Sequence, residues 1–242
     1  MPRKDRIDRL LVERGLFESR AKAQAAIEAG LVRAGDALVR KASEAIAVDA
    51  SLHARAAHPY VSRGGVKLAA ALDHFGFDPQ GRVCLDVGAS TGGFTQVLLE
   101  RGAKRVYAVD VGRRQLHQSL RARPEVVSLE KIDIRELSPS LLSEPPDFVT
   151  LDVSFISLKL VLPAALALVK SPAQMVALIK PQFEAGRALV KKGIVRDPQV
   201  HAAVCDGIAA FVAALGWRGF GIIPSPIAGG DGNAEFLLGA AK

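Results

Sequence analysis

The chain has 242 residues, 49% of them apolar, a net charge of +7 and two cysteines. That length suffices for one large core, or a large core with a small appendage; two cysteines exclude a disulfide framework and a zinc set, which makes a reducing cytoplasm the expected compartment. The basic balance fits a polyanionic partner such as nucleic acid, an anionic membrane surface, or an ordinary solvated exterior.

The N-terminus, "MPRKDRIDRLL", is charged and has no apolar core of a signal peptide. Ile7, Leu10 and Leu11 then recur at helical spacing until Gly15. Ser19 is placed to cap a second helix, with Ala23, Ala26 and Ile27 on one face and Gly30 as its stop. "LVRAGDALV" reads as two short strands about a Gly35-Asp36 turn, and "EAIAV" as a third strand. Arg3, Lys4, Arg6, Arg9, Arg14, Arg20 and Lys22 crowd the helical part. Such a face suits RNA-backbone contact, although a solvated helix face has the same composition.

The pattern "RIDRLLVERGLFESRAKAQAAIEAGLVRAG" resembles the S-four RNA-binding domain, through Arg6, Asp8, Leu11, Arg14-Gly15, Ser19-Arg20, Ala23, Ile27, Gly30 and Val32. The resemblance implies a small α+β RNA-binding domain, with RNA contacts expected on Arg3, Lys4, Arg6, Arg20, Lys22 and Arg63. One departure is the order Gly35-Asp36, where relatives usually carry Asn-Gly or Asp-Gly. "ASLHARAAHPY" reads as connecting sequence. The expected domains are residues 1–55 and 63–242, joined by a linker at 56–62.

Beyond the linker, "RVCLDVG", "RVYAVDV", "VVSLEKID", "DFVTLDVS", "MVALIK", "GFGIIPS" and "EFLLGA" read as strands, with helical runs between most of them. That rhythm predicts an α/β, Rossmann-like fold with a doubly wound, mostly parallel seven-stranded sheet. The longest apolar stretch, "LVLPAALALV" from Leu160, is too short to span a bilayer, so no membrane is expected. The five histidines show no ligand spacing, so no metal is expected.

In such a sheet, ligands bind beyond the carboxyl ends of the strands. The first strand runs into the loop Gly88, Ala89, Ser90, Thr91, Gly92, Gly93, Phe94. This is not the G-x-G-x-x-G spacing of a dinucleotide site. Asp86 would repel a pyrophosphate and attract a cation such as the ammonium of a methionine moiety. Asp110, 22 residues after Gly88, is placed to accept ribose hydroxyls. Val111, Ile132 and Asp133 are placed to meet an adenine edge. Together these point to S-adenosylmethionine as cofactor, with Asp152 as a further contact.

Four residues are candidates for chemistry: Lys67 on a helix before the first strand, Asp152 and Lys180 at strand ends, and Glu235 opening the last strand. Each alone also reads as a cap or a surface residue. Together they resemble the Lys-Asp-Lys-Glu tetrad of ribose 2′-O-methyltransferases, and that resemblance implies their roles. Lys180 is the candidate base, with Lys67 as a second ammonium and Asp152 and Glu235 orienting the pair.

The motifs "PYVSRGGVKLAAAL", "CLDVGASTGGFTQVLLERGA", "VYAVDVG", "LDVSFISL", "LIKPQFEAGR", "GIVRDP" and "GDGNAEFL" occur in order. With the N-terminal unit they make the chain similar to the TlyA family, which shares its catalytic domain type with FtsJ. The resemblance implies an S-adenosylmethionine-dependent methyltransferase acting on cytidine 2′-hydroxyls of rRNA within ribosomal subunits; a monomer is expected. Members are often named hemolysins, yet nothing here has the pattern of a pore. A small-molecule methyltransferase and a non-catalytic RNA-binding protein are the rival readings. Arg113-Arg114 departs from relatives, which carry smaller or aromatic residues there, and adds charge at the cofactor rim or against RNA.

Overall fold

A computed structural model describes residues 3–229 and 232–242. The chain divides into two compact units, one ending at Arg63 and one running Gly64–Lys242.

The first unit contains β1 (Lys4–Arg6), α1 (Ile7–Glu13), α2 (Arg20–Glu28), β2 (Val32–Ala34), β3 (Ala37–Leu38), β4 (Ala45–Ala47) and β5 (Leu52–Ala54). Ser19 caps α2 by accepting the Lys22 N–H at 3.3 Å. The helices bury Ile7, Leu11, Ala23, Ala26 and Ile27 against Phe17, Val32 and Val39. The Gly35-Asp36 order still closes a two-residue hairpin between β2 and β3, because Gly35 takes the left-handed conformation at the first loop position.

Two expectations for this unit need correction. "EAIAV" does form a strand, β4, but it pairs antiparallel with β1 rather than joining the hairpin. The third strand beside β2 is β5, from residues read as connecting sequence. A three-residue strand is too short to display a period of two, so pairing rather than pattern defines it.

Asp8 has no exposed surface. Its carboxylate accepts hydrogen bonds from Arg6 (3.0 and 3.0 Å), Arg20 (3.1 and 2.7 Å) and Gln24 (3.2 Å). It thereby ties the start of α1 to α2. The Arg6 hydrogen bond is the largest influence holding this carboxyl well below the usual range.

The second unit contains α3 (Gly64–Phe75), β6 (Val83–Val87), α4 (Gly93–Glu100), β7 (Arg105–Asp110), α5 (Gln118–Arg121), β8 (Val126–Glu130), β9 (Phe148–Leu151), α6 (Leu158–Ala167), β10 (Gln174–Ile179), α7 (Pro181–Glu184), α8 (Pro198–Ala214), β11 (Arg218–Pro224) and β12 (Phe236–Ala241). The strands form one sheet in the order β11-β12-β10-β9-β6-β7-β8. Strands β6 to β10 are mutually parallel, and β12 runs antiparallel to both of its neighbours. The fold is the expected Rossmann-like α/β sheet. Strands β6 and β9 are buried along their whole length, as near-continuous apolar runs covered on both faces must be. Leu85, Tyr107, Val149 and Met175 join Leu162, Ile208 and Trp217 in one core. The order turns back between β6 and β9, which opens a crevice at their carboxyl ends.

The Asp8 cluster predicts an acid-sensitive first unit. The folded carboxyl titrates below its unfolded value, so its contribution is full well above about pH 4 and is lost progressively as pH falls from there through the lower folded value. Asp8→Asn should lower stability near neutral pH by about 1–3 kcal/mol and flatten the acid limb of a urea-denaturation series. Equal acid sensitivity in both proteins would remove the cluster from this role.

Candidate active site

The crevice is a cavity of about 480 Å3, a size suited to a small cofactor. Gly88 follows β6, Asp110 ends β7, Ile132 and Asp133 follow β8, and Asp152 follows β9, so four adjacent strands each send a residue to it. Val111 and Ile132 supply apolar surface, while Asp110 and Asp133 supply carboxylates. Gly88 sits at φ +82°, and a Cβ there would lie 2.4 Å from the Asp152 carbonyl oxygen. Only a residue without a Cβ lets these two loops close up.

Asp110 is held in place by backbone donors: Ser90 N–H reaches Oδ2 at 2.8 Å and Gly112 N–H reaches Oδ1 at 2.6 Å. A carboxylate has about four lone-pair positions, so it can still accept two hydroxyls. Asp133 is bound by Arg135 at 2.6 and 2.9 Å, which holds its carboxyl below the usual range. A nucleoside with a vicinal diol and a flat base fits this set.

Other loop residues lie behind the cavity wall. Asp86 is fully buried and absent from the lining. Its oxygens accept the hydroxyls of Thr95 (2.6 Å) and Thr150 (2.9 Å). Burial pushes its carboxyl up to about 6, against the pull of those hydroxyls. The expectation that Asp86 meets a ligand ammonium is therefore corrected: the side chain braces the loop from within. Ala89 and Phe94 are buried, and Thr91, Gly92 and Gly93 line no part of this cavity. A Cβ on Gly92 would strike Leu120 and Leu116, which marks this glycine as a packing residue.

The four chemical candidates come together as two ion pairs. Lys180 meets Asp152 at 2.6 Å and donates to the Ser154 hydroxyl at 2.9 Å. Lys67, on α3, meets Glu235 at 2.5 Å, both of them buried. Ile179 and Phe236 are paired across β10 and β12, so Lys180 and Glu235 flank that pair at one end of the ladder. Asp152 and Ser154 also line the cofactor cavity, which brings the Lys180 pair to its edge.

Two side chains that the sequence reading did not assign complete the frame. Glu130 ends β8 and accepts N–H groups of Arg114, Gln115 and Leu116, shaping the loop after β7. Glu184 accepts the Ser157 hydroxyl at 2.6 Å and the Leu158 N–H at 2.7 Å, fastening the loop after Asp152 to α7. Glu130 was visible as one more strand-end acid; Glu184 had no local signal. Gly230 and Asp231 of "GDGNAEFL" lie outside the described residues.

In the first unit, Arg6 and Arg20 share Asp8, and Lys22 pairs with Glu18 at 2.6 Å. Arg14 is committed to the Val48 and Ala50 carbonyls, and Arg9 lies 3.6 Å from both Asp5 and Glu13. Arg3, Lys4, Arg6, Arg20 and Arg63 are exposed. No helix among the described residues is long and apolar enough to cross a membrane, and no group of potential ligands there is placed to hold a metal.

Residues 60–242 match the model of the FtsJ-like methyltransferase family. The chain is 49% identical to "Putative rRNA methyltransferase YqxC" of Bacillus subtilis, over 98% of this chain and 85% of that protein. It is 44% identical to the 16S/23S rRNA (cytidine-2′-O)-methyltransferase TlyA of Mycobacterium tuberculosis, over 98% and 90%. A solved structure, "Putative hemolysin from Streptococcus thermophilus", is 43% identical and superposes with a TM-score of 0.79, covering 100% of this chain and 90% of that one.

The cavity geometry separates two kinds of loop residue. Gly88→Ala should weaken binding of S-adenosylmethionine by at least about tenfold in calorimetry, since a left-handed, crowded position tolerates no Cβ. Asp86→Asn should leave that affinity within about threefold. It should also flatten stability between about pH 4 and 6, because the raised carboxyl stabilises the fold below that window and ceases to as pH rises through about 6.

Proposed function

The chain belongs to the FtsJ-like methyltransferase family, and from that premise we propose that it methylates the ribose 2′-hydroxyl of cytidine in rRNA, using S-adenosylmethionine. The observation that carries this reading is the Lys180–Asp152 pair at the edge of a nucleoside-sized cavity. Relatives similar over 98% of this chain bear rRNA methyltransferase names, and the basic first unit matches a polyanionic substrate better than a small molecule. We place the reaction in the cytoplasm, on ribosomal subunits, with the protein acting as a monomer.

When bound, the cofactor supplies an electrophilic methyl group on a sulfonium. Asp110 would accept its ribose hydroxyls, Val111 and Ile132 would offer apolar surface to its base, and Gly88 and Ser90 would border it. The substrate hydroxyl is a poor nucleophile until its oxygen is aligned and its proton has a destination. Lys180 Nζ is the group placed to receive that proton, with Asp152 Oδ1, 2.6 Å away, placed to stabilise positive charge there. Ser154 holds the amine in direction. Lys67 provides a second cation beside the reacting ribose, and Glu235 fixes its position. Arg3, Lys4, Arg6, Arg20, Lys22 and Arg63 bind the RNA backbone, with Asp8 aligning two of the guanidinium groups.

Lys180→Met should lower kcat for methyl transfer to isolated ribosomal subunits by about 10²-fold or more, with cofactor affinity changed by less than about threefold. Near-normal turnover would reject the assignment. Deleting residues 1–55 should abolish rRNA methylation while calorimetry still detects cofactor binding; loss of cofactor binding would reject the division of labour.

A further inference from the structure

The Arg113-Arg114 pair has no part in the chemistry above. It lines a second cavity, of about 400 Å3, with Arg121, Ser128, Glu130 and Lys131. Four cations and one carboxylate meet there. The carboxylate is already occupied: Glu130 Oε2 accepts the Arg114 N–H at 2.6 Å, and Oε1 accepts the N–H groups of Gln115 (3.0 Å) and Leu116 (3.3 Å) and Nη2 of Arg121 (2.8 Å). Among the described residues, Arg113, Arg114 and Lys131 have no carboxylate partner, and all three are exposed.

The backbone here is strained. Arg114 lies at φ +53° and Lys131 at φ +60°, conformations that side-chain-bearing residues rarely adopt. The two turns are locked to each other, with the Lys131 N–H donating to the Gly112 carbonyl at 3.0 Å and the Ile132 N–H to the Asp110 carbonyl at 3.1 Å. A merely solvated charge patch needs no such fixation. The same loops reach the cofactor cavity through Asp110, Val111 and Ile132.

We propose that this pocket binds a phosphodiester of the RNA strand, giving the second unit a nucleic-acid contact of its own beside the cofactor. The inference rests on the reading of RNA as substrate. Three unpaired cations on a rigid concave wall match the oxygens of a phosphate, and releasing its counterions makes such a contact salt-dependent.

The test uses two full-length variants, Arg113→Ala/Arg114→Asn and Lys131→Asn, because asparagine accepts the left-handed turn. KM for ribosomal subunits should rise about tenfold, and the slope of log RNA affinity against log salt should fall by about one for each phosphate that is no longer neutralised. The kcat at saturating RNA and the cofactor affinity should stay within about twofold. Unchanged KM and salt slope in both variants would overturn the proposal. Inorganic phosphate, titrated into the wild-type protein at constant ionic strength, should show no saturable binding below about 1 mM. Tight phosphate binding that Lys131→Asn removes, with KM for RNA unchanged, would assign the pocket to a free anion and overturn the RNA contact. If the wild-type protein itself fails to methylate rRNA, the functional reading falls instead; filter binding of RNA to the same variants still decides the pocket.

Discussion

An ammonium and a carboxylate taken out of water together must meet each other closely, because either one left alone in the interior is strongly destabilising. The buried Lys67–Glu235 pair imposes this constraint on the second unit. Lys67 comes from α3, before the sheet begins, and Glu235 immediately precedes its antiparallel strand, β12. Their pairing therefore fixes the first helix against the last strand. Glu235 in turn stands beside Lys180 at the end of the β10–β12 ladder. A register slip of one residue would turn Glu235 to the opposite face and strand Lys67 without a partner.

The Lys180–Asp152 pair is of a different kind. It joins adjacent parallel strands at their open ends and borders a cavity. An ion pair at such a position presents opposite charges to whatever enters the cavity, without a rearrangement on binding. The nearby loop after β9 is held at three points: by Lys180 on Ser154, by Phe183 against Phe155, with ring centroids 5.1 Å apart, and by Glu184 on Ser157 and Leu158. The loop is thus fixed by Lys180, Phe183 and Glu184, none of which lines the cavity that the loop borders.

Buried carboxylates organise both units, with opposite electrostatic outcomes. Asp8 is surrounded by guanidinium groups that favour its charged form. Asp86 accepts hydrogen bonds from hydroxyls and backbone but, among the described residues, meets no cation, and burial, with the nearby Asp152 charge, favours its neutral form. Asp8 ties the start of α1 to α2, Asp86 braces the loop after β6, and neither is exposed. Sequence reasoning treats an acid beside a glycine loop as a contact, yet such a loop also needs internal support.

Composition, periodicity and turn residues by themselves determined much of this protein. The central parallel strands of the sheet were legible because strands buried on both faces must be continuous apolar runs, and Ser19 and Gly30 marked a helix because caps obey local rules. The acids at strand ends were legible for the same reason: the ends of such runs are the mouths of the sheet. Tertiary structure alone decided the rest. It paired β4 with β1 and recruited β5, since short strands are defined by their neighbours. It turned Asp86 inward and Asp110 toward the cavity, though both sit at the end of an apolar strand. It matched Lys67 with Glu235 across 168 positions of the chain. Which charge meets which depends on strand order and register, and these are settled by packing between distant segments rather than by any local pattern.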